Sequence, residues 1–201
     1  ELGGSDPYVV LKDADLDLAV DACISGRLLN SGQSCIAAKR FIVDKNIQSE
    51  FEKKIIKKMK TQKVGDPFIE HSTVGPMVNK ESRDNLFAQV EKSLHKGAKL
   101  IYKSEVPRNE NGSYHPIIVL SNVKPGMPAF DEELFGPVAC IISAKNQSDA
   151  IYLANATSYG LGAAVFTSNV EIGKEIAELE LESGAGFVND FVRSDPRLPF
   201  G

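Results

Sequence analysis

Asn30-Ser31-Gly32-Gln33-Ser34-Cys35 places a thiol just after a glycine-containing turn, between a helical segment and the apolar, basic run Ile36-Ala37-Ala38-Lys39-Arg40. Thiol chemistry needs the thiolate, and backbone N–H donors with Lys39 and Arg40 a turn away form a setting that lowers a thiol pKa toward neutrality. On spacing alone the competing reading, a small core cysteine, is the more frequent case, because cysteine outside disulfides is among the most buried residue types. Cys23 and Cys140 sit in apolar contexts and read as core. A second group is Glu132-Glu133 with Phe135 before Gly136-Pro137, carboxylates beside an aromatic face; taken alone it reads as an acidic turn and a core ring. His71, His95 and His115 have no carboxylate or cysteine partners at ligand spacing, so they read as surface residues and no metal is expected.

Other segments change the odds for Cys35. In order, Glu1-Leu2-Gly3-Gly4-Ser5-Asp6-Pro7, Gly32-Gln33-Ser34-Cys35, Glu132-Glu133-Leu134-Phe135-Gly136-Pro137-Val138, Asn155-Ala156-Thr157-Ser158-Tyr159-Gly160-Leu161-Gly162-Ala163 and Pro199-Phe200-Gly201 resemble signature segments of the NAD(P)-dependent aldehyde dehydrogenase superfamily. Their shared order and spacing make the match more specific than any one segment does. Cys35-Ile36-Ala37-Ala38-Lys39-Arg40-Phe41 and Phe187-Val188-Asn189-Asp190-Phe191 are most similar to bacterial succinate-semialdehyde dehydrogenases.

The resemblance implies roles residue by residue. Cys35 corresponds to the nucleophile that forms a thiohemiacetal and then a thioester, and Glu1 to the base that activates the deacylating water. Glu133 corresponds to the carboxylate holding the nicotinamide ribose hydroxyls of NAD or NADP, and Phe135 to the ring packed beside the nicotinamide. Ser34 and Ile36 flank the nucleophile, and Phe200 resembles an aromatic lining the aldehyde tunnel. A substrate carboxylate, as in succinate semialdehyde, calls for a cation. Some members place an arginine six residues before the nucleophile, where this chain has Leu29, so Arg193 and Arg197, with Ser194 between them, are the expected clamp and Arg27 the fallback. The alternatives are a dehydrogenase for a neutral aliphatic aldehyde, or an inactive structural and oligomerisation module. Glu1 favours hydrolysis of the thioester over transfer to coenzyme A.

Both ends fall inside these motifs, and no Gly-x-Gly-x-x-Gly turn opens a helix in the chain. The expectation is therefore a single catalytic domain over 1–201, with an N-terminal dinucleotide-binding domain and a short C-terminal tail outside it, in a homodimer or homotetramer of full-length chains. A chain of 201 residues is long enough to bury roughly 70% of its unfolded surface. A net charge of −4 provides no basic footprint for nucleic acid or an anionic membrane, and no apolar run approaches the roughly 18 residues of a membrane span. Three cysteines without paired spacing point away from a disulfide framework and toward a reducing, cytoplasmic compartment.

The elements that must position these groups alternate between helix and strand. Leu16 to Leu29 shows one apolar helical face with Asp13 as expected N-cap, Ile47 to Lys60 is a helix with Lys53, Lys54, Lys57 and Lys58 facing solvent, and Lys80 to Lys96 is a helix ended by Gly97. Ser148 to Ala156, with Ser148 as cap, and Val170 to Leu181 are further helices. Strands are expected at Arg40 to Asp44, Ile117 to Leu120, Val138 to Ile142, Ala163 to Thr167 and Gly186 to Asn189, and Lys103 to Ser113 is a loop or hairpin. Buried strands alternating with helices imply an α/β fold with helices on both faces. The family resemblance makes this a three-layer α/β/α sandwich with a mostly parallel sheet.

Overall fold

The computed structural model describes residues 3–107 and 112–197. Its strands are β1 (Asp6–Val10), β2 (Ala38–Asp44), β3 (Lys99–Lys103), β4 (Ile118–Ser121), β5 (Val138–Ala144), β6 (Gly162–Phe166) and β7 (Ala185–Val188). They form one sheet in the order β3-β4-β5-β2-β1-β6-β7, in which only β3 runs antiparallel to its neighbour. The helices are α1 (Leu16–Leu28), α2 (Gln48–Met59), α3 (Lys80–His95), α4 (Pro128–Asp131), α5 (Gln147–Asn155) and α6 (Val170–Glu175), the last continuing into a π-helical turn over Ile176–Glu180. Apolar residues alternate sides along the central strands. Tyr8, Phe41, Ile141 and Phe166 pack against α1 and α2, while Val9, Ile42, Cys140 and Val165 pack against α3, α4 and α5. The expected three-layer sandwich is what these residues build.

Several local expectations shift. Asp15 caps α1 by accepting from the N–H groups of Asp17 and Leu18 at 2.9 and 3.2 Å. Asp13 instead accepts from the Thr167 and Ser168 hydroxyls at the end of β6. Asn146 replaces Ser148 as the cap of α5, accepting from Asp149 N at 2.9 Å. All four α2 lysines keep contact with solvent as expected, and two of them, Lys54 and Lys58, also pair at the surface with Asp17 and Asp21 of α1. Of the expected loop or hairpin from Lys103 to Ser113, Lys103 ends β3 and pairs with Ile118 of antiparallel β4, and residues 108–111 lie outside the described residues. Gly97 follows α3 at φ +103°, the left-handed conformation expected of a C′ glycine. Cys23 and Cys140 are buried, and burial pushes the Cys140 thiol up to about 12 and holds the Cys23 thiol well above its ordinary value.

His115 departs most from expectation. It is buried in place of lying at the surface, its ring sits 4.2 Å from that of Phe87, and Nδ1 is 2.7 Å from the Pro116 carbonyl. Its Nε2 is buried with no hydrogen-bond partner among the described residues. Burial lowers the imidazole from 6.5 to about 4. The native state therefore holds fewer protons here than the unfolded chain, and stability falls as pH drops from the unfolded value toward the folded one. Across that window His115 is expected to remove about 3 kcal/mol of stability. Denaturant titrations at pH 7 and pH 4.5 should show a smaller acid loss for His115→Phe than for the wild type, and equal losses would contradict this assignment.

Candidate active site

Parallel strands bring their lead-in segments to one edge. Gly3 to Ser5 precedes β1, Ser34 to Ala37 precedes β2, and Glu132 to Pro137 precedes β5, and these three strands are neighbours in the order β5-β2-β1. The segments touch through backbone. A Cβ on Gly4 would lie 2.3 Å from the Cys35 carbonyl oxygen, and one on Gly32 would lie 2.4 Å from the Gly136 oxygen. Side chains at these two positions would hold the segments apart, so glycine is what lets the thiol-bearing turn sit between the other two.

The turn itself is strained and buttressed. Asn30, Ser31 and Gly32 take φ of 50°, 58° and 74°, three consecutive left-handed residues of which two carry side chains. Asn30 Nδ2 donates to the Gln33 carbonyl at 3.0 Å, and Ser31 Oγ accepts from Gly75 N at 2.9 Å. Gln33 accepts from Val78 N at 2.8 Å and donates to the Pro76 carbonyl at 3.3 Å. From beneath, Arg27 Nη2 donates to the Gly32 carbonyl at 2.7 Å. The chain then closes a tight turn through Ala37 N to the Ser34 carbonyl at 3.1 Å, with half-buried Cys35 and Ile36 at its two central positions.

Two of the cations near Cys35 in sequence turn inward. Arg40 donates to the carbonyls of Ser5, Leu153 and Ala154 at 3.0, 2.9 and 2.9 Å and lies over the Phe130 ring, so its charge serves the core and the end of α5. Arg27 is fully buried and lowered by burial to about 10, which leaves it charged at neutral pH and seated under the turn, not in reach of a ligand in solvent as a substrate anchor would be. Lys39 does adjoin the thiol segment. Its Nζ donates to the carbonyls of Ser34, Cys35 and Ala37 at 3.0, 2.9 and 3.1 Å and lies 3.4 Å from Glu133 Oε1.

Glu133 is half-buried at the same junction. Oε1 also accepts from Gly4 N at 3.1 Å, and Gln89 of α3 donates to the Glu133 carbonyl at 3.2 Å. Phe135 is 41% exposed, where a core ring would be covered. A carboxylate oriented by two donors beside an open aromatic face suits a ribose hydroxyl pair and a planar ring, so these residues fit a dinucleotide's nicotinamide end. Asp6 at the start of β1 is buried, accepts from Gly162 N at 3.2 Å, and is pushed up by burial.

The loop after β7 doubles back along the sheet. Val192 N donates to the Tyr8 hydroxyl at 2.6 Å, and Val192 Cγ1 would lie 2.7 Å from a Cβ on Gly162, the first residue of β6. Residues 193–197 thus start near the edge that carries Cys35. Arg193 is 54% exposed, pairs with Asp190 at 2.7 Å and lies over Phe191; Arg197 is 85% exposed and pairs with Asp195 at 2.6 Å. Both charges are engaged inside their own loop, and Ser194 between them is exposed. Glu1 and Phe200 lie outside the described residues. Among the described residues, no group of three or more His, Cys, Asp or Glu is arranged to hold a metal, and no helix is long and apolar enough to cross a membrane.

A model of the aldehyde dehydrogenase family matches residues 1–201. The chain belongs to the aldehyde dehydrogenase family. It is 46% identical over all 201 residues to succinate semialdehyde dehydrogenase [NAD(P)+] Sad of Escherichia coli (strain K12), of which it covers 43%. It is 41% identical over the same residues to a probable succinate-semialdehyde dehydrogenase [NADP(+)] of Synechocystis sp., of which it covers 44%. The fold superposes on betaine aldehyde dehydrogenase from Staphylococcus aureus, solved in complex with NAD+, with a TM-score of 0.94 and 31% identity, covering 100% of this chain and 40% of that one. The chain thus spans less than half the length of the aldehyde dehydrogenases it matches.

The residues that hold this junction together carry little local signal. Ser31, Gln33 and Arg27 act through backbone groups up to 45 positions away, and only the Asn-Ser-Gly string signals a left-handed turn. Gly32→Ala tests that turn. It adds a clash with the Gly136 carbonyl to a left-handed alanine, and should cost at least about 2 kcal/mol in denaturant titrations; a loss below about 0.5 kcal/mol would mean the segments are not packed through this glycine.

Proposed function

We propose that this chain is the nucleophile-bearing domain of an NAD(P)-dependent aldehyde dehydrogenase that oxidises succinate semialdehyde to the dicarboxylic acid. The observation carrying the reading is the junction itself. A braced turn bearing one thiol packs through its backbone against the segment that carries a carboxylate and an open aromatic face, at the edge shared by three central strands. The names of the Escherichia coli and Synechocystis relatives support the substrate and both nicotinamide cofactors. The family resemblance puts a dinucleotide-binding domain before this one in the full-length chain, and we place the full-length chains in the cytoplasm as homodimers or homotetramers.

In this reading the Cys35 thiolate attacks the aldehyde carbon, and the carbonyl electron pair moves to oxygen. The Cys35 backbone N–H is one donor for that oxyanion, and family resemblance puts the second on the preceding domain. Glu133 would hold the ribose hydroxyls and Phe135 would confine the nicotinamide ring of bound NAD(P)+, which would accept the hydride leaving the adduct carbon, so that a thioester remains on Cys35. Glu1 takes a proton from water, the hydroxide oxygen bonds to the acyl carbon, and the C–S bond breaks to release the acid and regenerate the thiolate. Ser34, Ile36 and Phe200 flank the aldehyde, and Arg193 or Arg197, with Ser194, takes the distal carboxylate.

The ion pairs of Arg193 with Asp190 and Arg197 with Asp195 favour a second reading, in which both arginines stay engaged and the substrate is a neutral aliphatic aldehyde. One kinetic panel on the full-length enzyme separates these readings. Cys35→Ala should abolish turnover of every aldehyde with the fold intact, and substantial residual turnover would remove the thiol from the mechanism. Arg193→Ala or Arg197→Ala should raise KM for succinate semialdehyde at least about tenfold, the loss of one charge-assisted pair, with little change for butyraldehyde. No effect of either change on succinate semialdehyde would favour the neutral substrate, and parallel losses on both aldehydes would indicate a disordered loop.

A further inference from the structure

The steps above leave Lys39 unused, although it is 2% exposed and sits where two functional segments meet. An ammonium has three N–H bonds. The three carbonyls of Ser34, Cys35 and Ala37 occupy those donors at 2.9 to 3.1 Å, and Glu133 Oε1 lies 3.4 Å away as counter-charge. The same Glu133 oxygen is held by Gly4 N, whose residue packs on the Cys35 carbonyl. One cation therefore touches both the backbone that carries the thiol and the carboxylate assigned to the ribose. Burial and the nearby Arg27 work against its charge, and Glu133 and Asp6 work for it. A buried ammonium with this partner set persists because each partner needs it.

We propose that Lys39 is a positioning residue of the dehydrogenase, a buried cation that ties Glu133 to the Cys35 turn and so sets the cofactor's ribose in register with the thiol. The proposal rests on the dehydrogenase reading. Lys39 itself meets neither aldehyde nor cofactor; it acts through the Glu133 carboxylate and the Cys35 carbonyl.

The test is a double-mutant cycle in the full-length enzyme, with NAD(P)+ and succinate semialdehyde varied separately. Lys39→Met should raise KM for NAD(P)+ at least about tenfold, as loss of one member of a buried charge pair does, and leave KM for the aldehyde within about threefold. Glu133→Gln should raise the same cofactor KM, and K39M/E133Q should exceed E133Q by no more than about threefold, because Lys39 acts through Glu133. A purely structural lysine would raise both KM values together and multiply with E133Q, and either result overturns the proposal. Should K39M not fold, the charge-preserving cycle of K39R, E133D and K39R/E133D decides. There the double variant should recover at least about threefold of the cofactor KM lost by the singles, and independent effects would overturn the proposal. A wild-type enzyme without NAD(P)-linked aldehyde turnover overturns the underlying reading along with it, whereas an active wild type with independent effects overturns the role of Lys39 alone.

Discussion

Three backbones approach here with no Cβ between them. The Cys35 carbonyl lies against Gly4 on one side, and Gly32 lies against the Gly136 carbonyl on the other. Such contact leaves polar backbone atoms facing one another in a half-buried space, where unpaired carbonyls are costly. The ammonium of Lys39 answers that constraint by bonding three of those carbonyls, and Glu133 balances its charge. The thiol's location, the carboxylate's orientation and the strain in Asn30 and Ser31 all follow from this junction.

The sheet explains why the junction forms at the amino ends of its strands. Open α/β folds commonly bind ligands beyond the carboxyl ends, at a switch in strand order. In this chain the carboxyl ends of β1, β2, β5 and β6 meet caps and turns, with Asp13 engaged by Thr167 and Ser168 and Asn146 by α5. The segments carrying Cys35 and Glu133 instead enter adjacent strands from the other edge, and the loop after β7 returns to that edge through Val192. An aldehyde dehydrogenase whose cofactor domain faces the amino edge would meet all of them at once.

Much of this was legible in the residues, for reasons that differ by element. Val138 to Ile142 read as a strand because a parallel strand buried on both faces is apolar throughout. β1 escaped notice because Pro7 argues against a central strand, and the sheet accommodates it through a register shift between Asp6 and Pro7. β3 was hidden because an exposed edge strand with Lys99 and Lys103 lacks the buried pattern. Cys35 and Glu133 were singled out by resemblance, whereas Gln33 bonds backbone groups at Pro76 and Val78 and Lys39 meets its counter-charge at Glu133, partners that no local pattern encodes. His115 was misjudged since nothing in Tyr114-His115-Pro116 announces the stacking on Phe87.

Central to this account is that the turn presents Cys35 for reaction while the sheet and helices bury the other two thiols. Timed alkylation of the native protein with iodoacetamide at neutral pH, followed by peptide mapping, measures that directly. The account predicts rapid modification at Cys35, with Cys23 and Cys140 labelled only after unfolding. Equal and slow labelling at all three would contradict it, leaving Cys35 as another inert cysteine of the fold.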